Sequence, residues 1–146
     1  METEEEPELF AKVLVAIDGS PHAEHALGAA QQLASLSGGE VRVVHVREVA
    51  VVGRAGAIPT EERAEAEKLV DDAVAELTKA GLNATGALRG GRVGHIAAEL
   101  LEEADEWGAT VMVLASRGLS DLAGLVVGST THKVLHLGQF PVLVVR

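Results

Sequence analysis

The sequence predicts an α/β protein, a three-layer sandwich in which helices cover both faces of an open five-stranded parallel sheet. Short apolar runs alternate along the 146-residue chain with longer stretches in which apolar residues recur every three or four positions. Glycine, proline or serine marks the junctions between these segments. Because successive parallel strands are joined by right-handed crossovers, this alternation places helices on both faces of one sheet.

The first strand and the first helix are the clearest elements. An apolar run over residues 12–18 ends at a polar residue, as expected for a strand that is covered on both faces. The turn that follows offers Ser20 as an N-cap and Pro21 as the first helical residue. Helical spacing of apolar residues then continues to Gly38, where the helix is predicted to end.

The second strand is predicted over residues 41–46. Residues 49–59 contain small and apolar residues with no clear period, and are predicted to form a mobile loop. A second amphipathic helix begins near Thr60 and ends at Gly81. The third strand, over residues 84–89, has the weakest pattern of the five.

The second half of the chain repeats the alternation. Residues 94–107 are helical by pattern, with Gly108 as the stop. The fourth strand covers residues 110–114, the last helix begins at Ser129 with its hydroxyl as the cap, and residues 141–145 form the fifth strand.

Length, composition and charge limit the classes of protein to which the chain can belong. The length predicts a single domain, over residues 10–146, and the five glutamates within residues 1–9 predict a disordered acidic N-terminal segment. A formal net charge of −10 argues against binding to nucleic acid or to an anionic membrane surface. The chain has no cysteine, no signal-peptide pattern and no apolar stretch long enough to cross a bilayer, which predicts a cytoplasmic protein.

The most informative motif follows the fourth strand. Ala115-Ser116-Arg117-Gly118 is separated by nine residues from Gly128-Ser129-Thr130. Glycines and small residues let the backbone fold closely around an anion and present its N–H groups, and phosphate is the natural guest.

Asp18 is expected to face this loop. In open parallel sheets the ligand lies beyond the carboxyl ends of the strands, where the strand order reverses, and the first and fourth strands are the expected pair. Asp18 would then accept hydrogen bonds from ribose hydroxyls, or cap the following helix, or do both. Arg117 either meets a phosphate oxygen or is solvated, and Ser129 either caps its helix or binds the ligand as well.

The sequence gives little support for a catalytic site or a metal site. The chain contains neither the G-x-x-x-x-G-K-[ST] motif nor a G-x-S-x-G elbow, and no catalytic residue is assigned. The pairs His22 and His25, and His132 and His136, have no evident third ligand, so no metal-ligating residues are predicted.

These residues resemble the universal stress protein family over residues 12–146. Nucleotide-binding members carry Gly, two residues, Gly, nine residues, Gly and Ser or Thr after the fourth strand. The present chain keeps this spacing, with Ala115 in place of the first Gly. The segment 15–20, the pair His45-Val46 and the C-terminal run 141–145 also match the family.

The resemblance implies a fold like that of the adenine nucleotide alpha hydrolases, with strand order 3-2-1-4-5, and a homodimer formed through the last strand. It implies that ATP binds together with Mg²⁺. The implied contacts are Asp18 with ribose or adenine, the backbone of Val46 with adenine, and the loop with the phosphates. The loop residues are Ala115, Ser116, Arg117, Gly118, Gly128, Ser129 and Thr130.

The first functional hypothesis is therefore an ATP-binding regulatory protein of the stress response. An alternative is a dimeric interaction module that binds no nucleotide, motivated by Ala115 and by the absence of a phosphate-binding lysine. A slow ATPase is a third hypothesis, for which the sequence names no residue to orient a water molecule.

Overall fold

The computed structural model describes residues 8–59, 61–116 and 129–146. Strands and helices alternate along these ranges, apart from one 3₁₀ turn and one additional short strand. The elements are β1 (Lys12–Ala16), α1 (Pro21–Ser37), β2 (Glu40–Val51), a 3₁₀ turn (Gly53–Ala55), β3 (Ala57–Pro59), α2 (Arg63–Lys79), β4 (Asn83–Arg92), α3 (Ile96–Trp107), β5 (Val111–Ala115), α4 (Ser129–Leu137) and β6 (Val142–Val145).

The sheet has the predicted parallel architecture. Parallel pairings join β4 to β2, β2 to β1, β1 to β5 and β5 to β6. These five strands correspond to the five predicted from the sequence, and their spatial order is the expected 3-2-1-4-5. The prediction of five strands misses β3, which pairs antiparallel with the end of β2 and makes the sheet six-stranded.

Helices cover both faces of the sheet and give it two cores. One core joins α1 and α2 to residues such as Val13, Val15 and Val43. The other joins α3 and α4 to residues such as Leu14 and Val44. Because neighbouring strand residues point to opposite faces, the apolar runs fill both cores at once.

Helix α1 begins and ends as its sequence predicts. The Ser20 side chain accepts a hydrogen bond from the Ala23 N–H, and Pro21 opens the helix. Gly38 ends it in the left-handed conformation, with φ of 70°. This conformation favours glycine because a Cβ would be strained there.

Residues 49–59 are not the loop that the sequence predicts. Strand β2 runs on to Val51, the chain turns through the 3₁₀ segment, and β3 returns along β2 with Ala50 opposite Ile58. Gly53 and Gly56 have φ of 43° and 80°, which permits the reversal. Three-residue pairing on an exposed hairpin is too short to give a recognisable period.

Strand β4 is longer than the predicted 84–89. The sequence pattern underestimates its length because several of its residues are glycines, which give no apolar signal. It runs from Asn83 to Arg92 and pairs with β2 along its whole length. At Gly86 a Cβ would lie 2.4 Å from Val70 Cγ1 and 3.0 Å from Val74 Cγ2 of α2. The small residue is needed for close packing of α2 on the sheet, and it also removes the apolar signal that marks a strand.

Candidate functional site

The candidate site lies where β1 and β5 end side by side. The two strands pair through Val13 with Val111 and Val15 with Val113, so their carboxyl ends meet at one edge of the sheet, as predicted. Asp18 follows β1 there, and its Oδ1 accepts a hydrogen bond from the Ser20 N–H at 2.9 Å. The structure thus shows a local turn role for Asp18.

Val46 lies on β2 just beyond the point at which β1 stops pairing with it. The register of β1 with β2 ends at Ala16 opposite Val44, and the Ile17 N–H donates to the Val44 carbonyl at 2.9 Å. Backbone groups alternate in direction along a strand, so those of Val46 point to the same side as those of Val44. The backbone donor and acceptor of Val46, a buried residue, therefore point to the side of β2 that β1 occupies as far as Ala16.

Helix α4 starts beside the end of β5. Thr131, in its first turn, is buried and donates its hydroxyl hydrogen to the Ala115 carbonyl oxygen at 2.7 Å. Ser116 is buried and its N–H donates to the Val145 carbonyl of β6. The predicted site residues Ser129 and Thr130 are the first two residues of α4, so the positive end of this helix lies near β1 and β5.

Three of the predicted loop residues, Arg117, Gly118 and Gly128, lie outside the described residues. Those that are described lie near the ends of β1 and β5, on the neighbouring part of β2 and at the start of α4. They are Asp18, Val46, Ala115, Ser116, Ser129 and Thr130.

A buried histidine beside this edge was not singled out from the sequence as a site residue. His45 is 5% exposed; its Nδ1 lies 2.7 Å from the Ile17 carbonyl oxygen and its Nε2 lies 2.5 Å from Glu61 Oε1. Arg47 Nε donates to the Glu61 carbonyl at 3.0 Å. Since a carbonyl can only accept, Nδ1 carries a proton, and the ring ties the end of β1 to the segment that precedes α2.

The sequence signal for His45 is a histidine flanked by valines in the predicted second strand. The partner could not be found in the same way, because Glu61 is one of many glutamates in the chain. Glu61 contacts His45 only because the β2–β3 hairpin brings the chain back to β2.

Within the ranges that the structure describes, no group of three or more His, Cys, Asp or Glu side chains is arranged to hold a metal ion. His132 and His136 stack on one face of α4 with ring centroids 6.4 Å apart. The helices in the same ranges include none that is both long and apolar enough to cross a membrane.

Comparison with known proteins identifies the family. The family model described as the universal stress protein family matches residues 9–146. The chain belongs to this family. Universal stress protein YxiE of Bacillus subtilis is 34% identical to it, over 94% of this chain and all of that protein. The match to the family therefore extends over almost the whole sequence.

Solved structures of universal stress proteins and related proteins share this fold. That of the hypothetical protein MJ0577 superposes with a TM-score of 0.77 at 23% identity, covering 94% of this chain and 96% of that one. A universal stress protein from Archaeoglobus fulgidus, solved in complex with dAMP, gives 0.70 at 26% identity, covering 95% of this chain and all of that one.

Proposed function

We propose that this universal stress protein binds an adenine nucleotide beyond the carboxyl ends of β1 and β5 and beside Val46 of β2, and that the nucleotide is ATP with Mg²⁺. The observation that carries the proposal is the convergence of three chemically different groups at one sheet edge. These are the Asp18 carboxylate, the backbone of Val46 and the N-terminus of α4. We further propose a regulatory role in a cytoplasmic stress response; ATP hydrolysis forms no part of it.

Each group suits a different part of the nucleotide. The N–H and C=O of Val46 match the acceptor and donor on the Watson–Crick edge of adenine. The Asp18 carboxylate accepts hydrogen bonds from ribose hydroxyls. The α4 N-terminus, with Ser129 and Thr130, suits phosphate through its backbone N–H groups and its dipole. The sequence adds Ala115, Ser116, Arg117, Gly118 and Gly128 to the phosphate loop.

The chemical variety of these groups also supports a nucleotide rather than a smaller anion. Base, ribose and phosphates need separate partners, and Val46 on β2, Asp18 after β1 and the start of α4 beside β5 provide three. The dAMP bound by the Archaeoglobus fulgidus relative is an adenine nucleotide, which supports the base assignment. The choice of ATP rests on the phosphate-loop spacing.

Asp18→Asn is expected to weaken ATP binding about tenfold, because the variant loses one acceptor oxygen and the negative charge that strengthens hydrogen bonds donated by the ribose hydroxyls. The variant keeps an oxygen that can accept from the Ser20 N–H, so the start of α1 is preserved. Calorimetric titration with ATP measures the affinity, and urea denaturation checks that the fold is retained.

The matched control is Asp105→Asn, which makes the same charge change on the exposed surface of α3. It is expected to bind ATP like the wild type. Equal affinities for Asp18→Asn and the wild type would remove Asp18 from the site.

We also propose that the protein is a homodimer formed through β6. This strand lies at one edge of the sheet, and Leu143 on it and Leu135 and Leu137 on α4 are exposed. An apolar strand edge invites pairing with a second copy. Light scattering at tens of micromolar is expected to give twice the chain mass; a monomeric mass contradicts the proposal.

A further inference from the structure

The hydrogen-bond ladder between β1 and β2 ends at Ile17. The Ile17 N–H donates to the Val44 carbonyl at 2.9 Å, and this is the last bond of the ladder. Continuing the parallel ladder by one bond would pair the Val46 N–H with the Ile17 carbonyl. That bond is not formed, because the register stops with Ala16 opposite Val44.

The Ile17 carbonyl accepts a hydrogen bond from the His45 ring instead. His45 Nδ1 lies 2.7 Å from this oxygen, and it carries the proton because a carbonyl can only accept. The side chain of His45 thus supplies the hydrogen bond that the backbone of the next residue, Val46, would supply in a longer ladder.

The His45 ring is fixed from its other side as well. Its Nε2 lies 2.5 Å from Glu61 Oε1, and the Glu61 carbonyl accepts from Arg47 Nε at 3.0 Å. His45 is 5% exposed, so little space is open for another orientation of the ring. Rotation of the ring would break both of its hydrogen bonds, and the bond to Ile17 is therefore a stable feature of the fold.

The Val46 N–H has no acceptor among the residues that the structure describes. Strand β3 pairs with β2 only from Val49 onward, so it does not replace β1 at Val46. Val46 is 5% exposed, and nearly all backbone N–H groups of buried residues are hydrogen-bonded, since an unpaired donor costs free energy. An unpaired N–H beside the candidate site is therefore suited to donate to a ligand.

We propose that His45 is a positioning residue of the nucleotide site: by donating to the Ile17 carbonyl, it keeps the Val46 N–H available for a ring nitrogen of adenine. This inference rests on the proposed function and adds a residue to it. Without the ring, the Ile17 carbonyl and the Val46 N–H are expected to bond to each other, and the adenine then loses its donor.

Scalar couplings across hydrogen bonds, measured by NMR on the isotope-labelled protein without nucleotide, test the first half of the inference. The wild type is expected to show a coupling between the Ile17 nitrogen and the Val44 carbonyl carbon, and none between the Val46 nitrogen and the Ile17 carbonyl carbon. Addition of ATP is expected to move the Val46 amide proton resonance downfield. His45→Leu, which has no donor, is expected to gain the coupling between Val46 and Ile17.

Calorimetric titration with ATP tests the second half. His45→Leu is expected to bind about tenfold more weakly than the wild type, the loss that corresponds to about one hydrogen bond. His45→Asn is the matched control, because its amide N–H can donate to the Ile17 carbonyl in place of Nδ1. It is expected to stay within about threefold of the wild type, and circular dichroism checks that both variants fold.

Three results would overturn the inference while leaving the proposed function intact. They are a coupling between Val46 and Ile17 in the wild type, a Val46 amide resonance that ATP does not move, and equal affinity of a folded His45→Leu variant and the wild type. The first two need no variant, so they decide the question even if His45→Leu does not fold. Absence of ATP binding by the wild type would overturn the proposed function and this inference together.

Discussion

Arg89→Met is expected to lower the free energy of unfolding by about 3 kcal/mol, because it leaves the partly buried Glu99 carboxylate without this cation and the buried Glu103 carboxylate with Arg42 alone. Arg89 on β4 is 18% exposed and pairs with Glu99 and Glu103 at 2.8 Å, and with Glu102 and Glu106 at 3.2 and 3.3 Å. Burial lowers the pKa of Arg89, but its hydrogen bonds to Glu99 and Glu103 raise it more, so the net pKa lies above the usual value.

Urea denaturation followed by circular dichroism measures this change. Methionine retains an apolar stem of similar length, so the loss reports the charge rather than a large cavity. Glu106→Gln is the control: the Glu106 side chain is 59% exposed, and its loss is expected to cost less than about 0.5 kcal/mol. An Arg89→Met midpoint equal to that of the control would show that the carboxylates do not depend on Arg89.

Gly39→Ala is expected to destabilise the protein by about 3 kcal/mol, through a collision with backbone rather than with a movable side chain. A Cβ at position 39 would lie 2.2 Å from the Phe10 carbonyl oxygen and 2.9 Å from that of Ala11. The Glu40 N–H donates to the Ala11 carbonyl at 2.9 Å, so moving this segment also disturbs the entry to β2. Thermal unfolding measures the loss.

Gly28→Ala provides a control of opposite sign. Gly28 lies within α1, and a Cβ there would meet no atom within 4 Å. Alanine has the higher helix propensity, so this variant is expected to gain about 0.5–1 kcal/mol. If Gly39→Ala were as stable as the wild type, the close approach of residues 10 and 39 would be wrong.

The sequence predicts most of the fold because its strongest signals are local. The caps of α1 depend on Ser20, Pro21 and Gly38, and each lies where the sequence indicates. Strands buried on both faces give uninterrupted apolar runs, which short-range pattern detects easily. The parallel order then follows from the handedness of the crossovers.

The features that the sequence misses depend on partners far along the chain. Strand β3 exists because residues 57–59 pair with the end of β2, and the exposed hairpin has no apolar period of its own. Glu103 is one of several acidic residues of α3, yet it is only 7% exposed because Arg89 and Arg42 reach it from the sheet. Ion pairs between residues of different secondary-structure elements cannot be predicted from the local spacing of residues in the sequence.

The candidate site also contains some residues that the sequence predicts and others that only the fold reveals. Asp18 and the start of α4 are identified by spacing relative to their strands, and the structure brings them to one edge. The His45 and Glu61 pair requires the fold, because it joins residues from β2 and from the end of the hairpin. Arg117, Gly118 and Gly128 lie outside the described residues, so their part in phosphate binding stays a prediction from the sequence.

Calorimetric titration of the purified, nucleotide-stripped protein with ATP and Mg²⁺ tests the central claim most directly. The account predicts saturable binding of one nucleotide per chain by the wild type, and loss of that binding in a folded Gly128→Trp variant, whose bulky side chain blocks approach to the phosphates. No heat of binding from the wild type would contradict the nucleotide site, and unchanged affinity in the Gly128 variant would contradict the proposed phosphate loop.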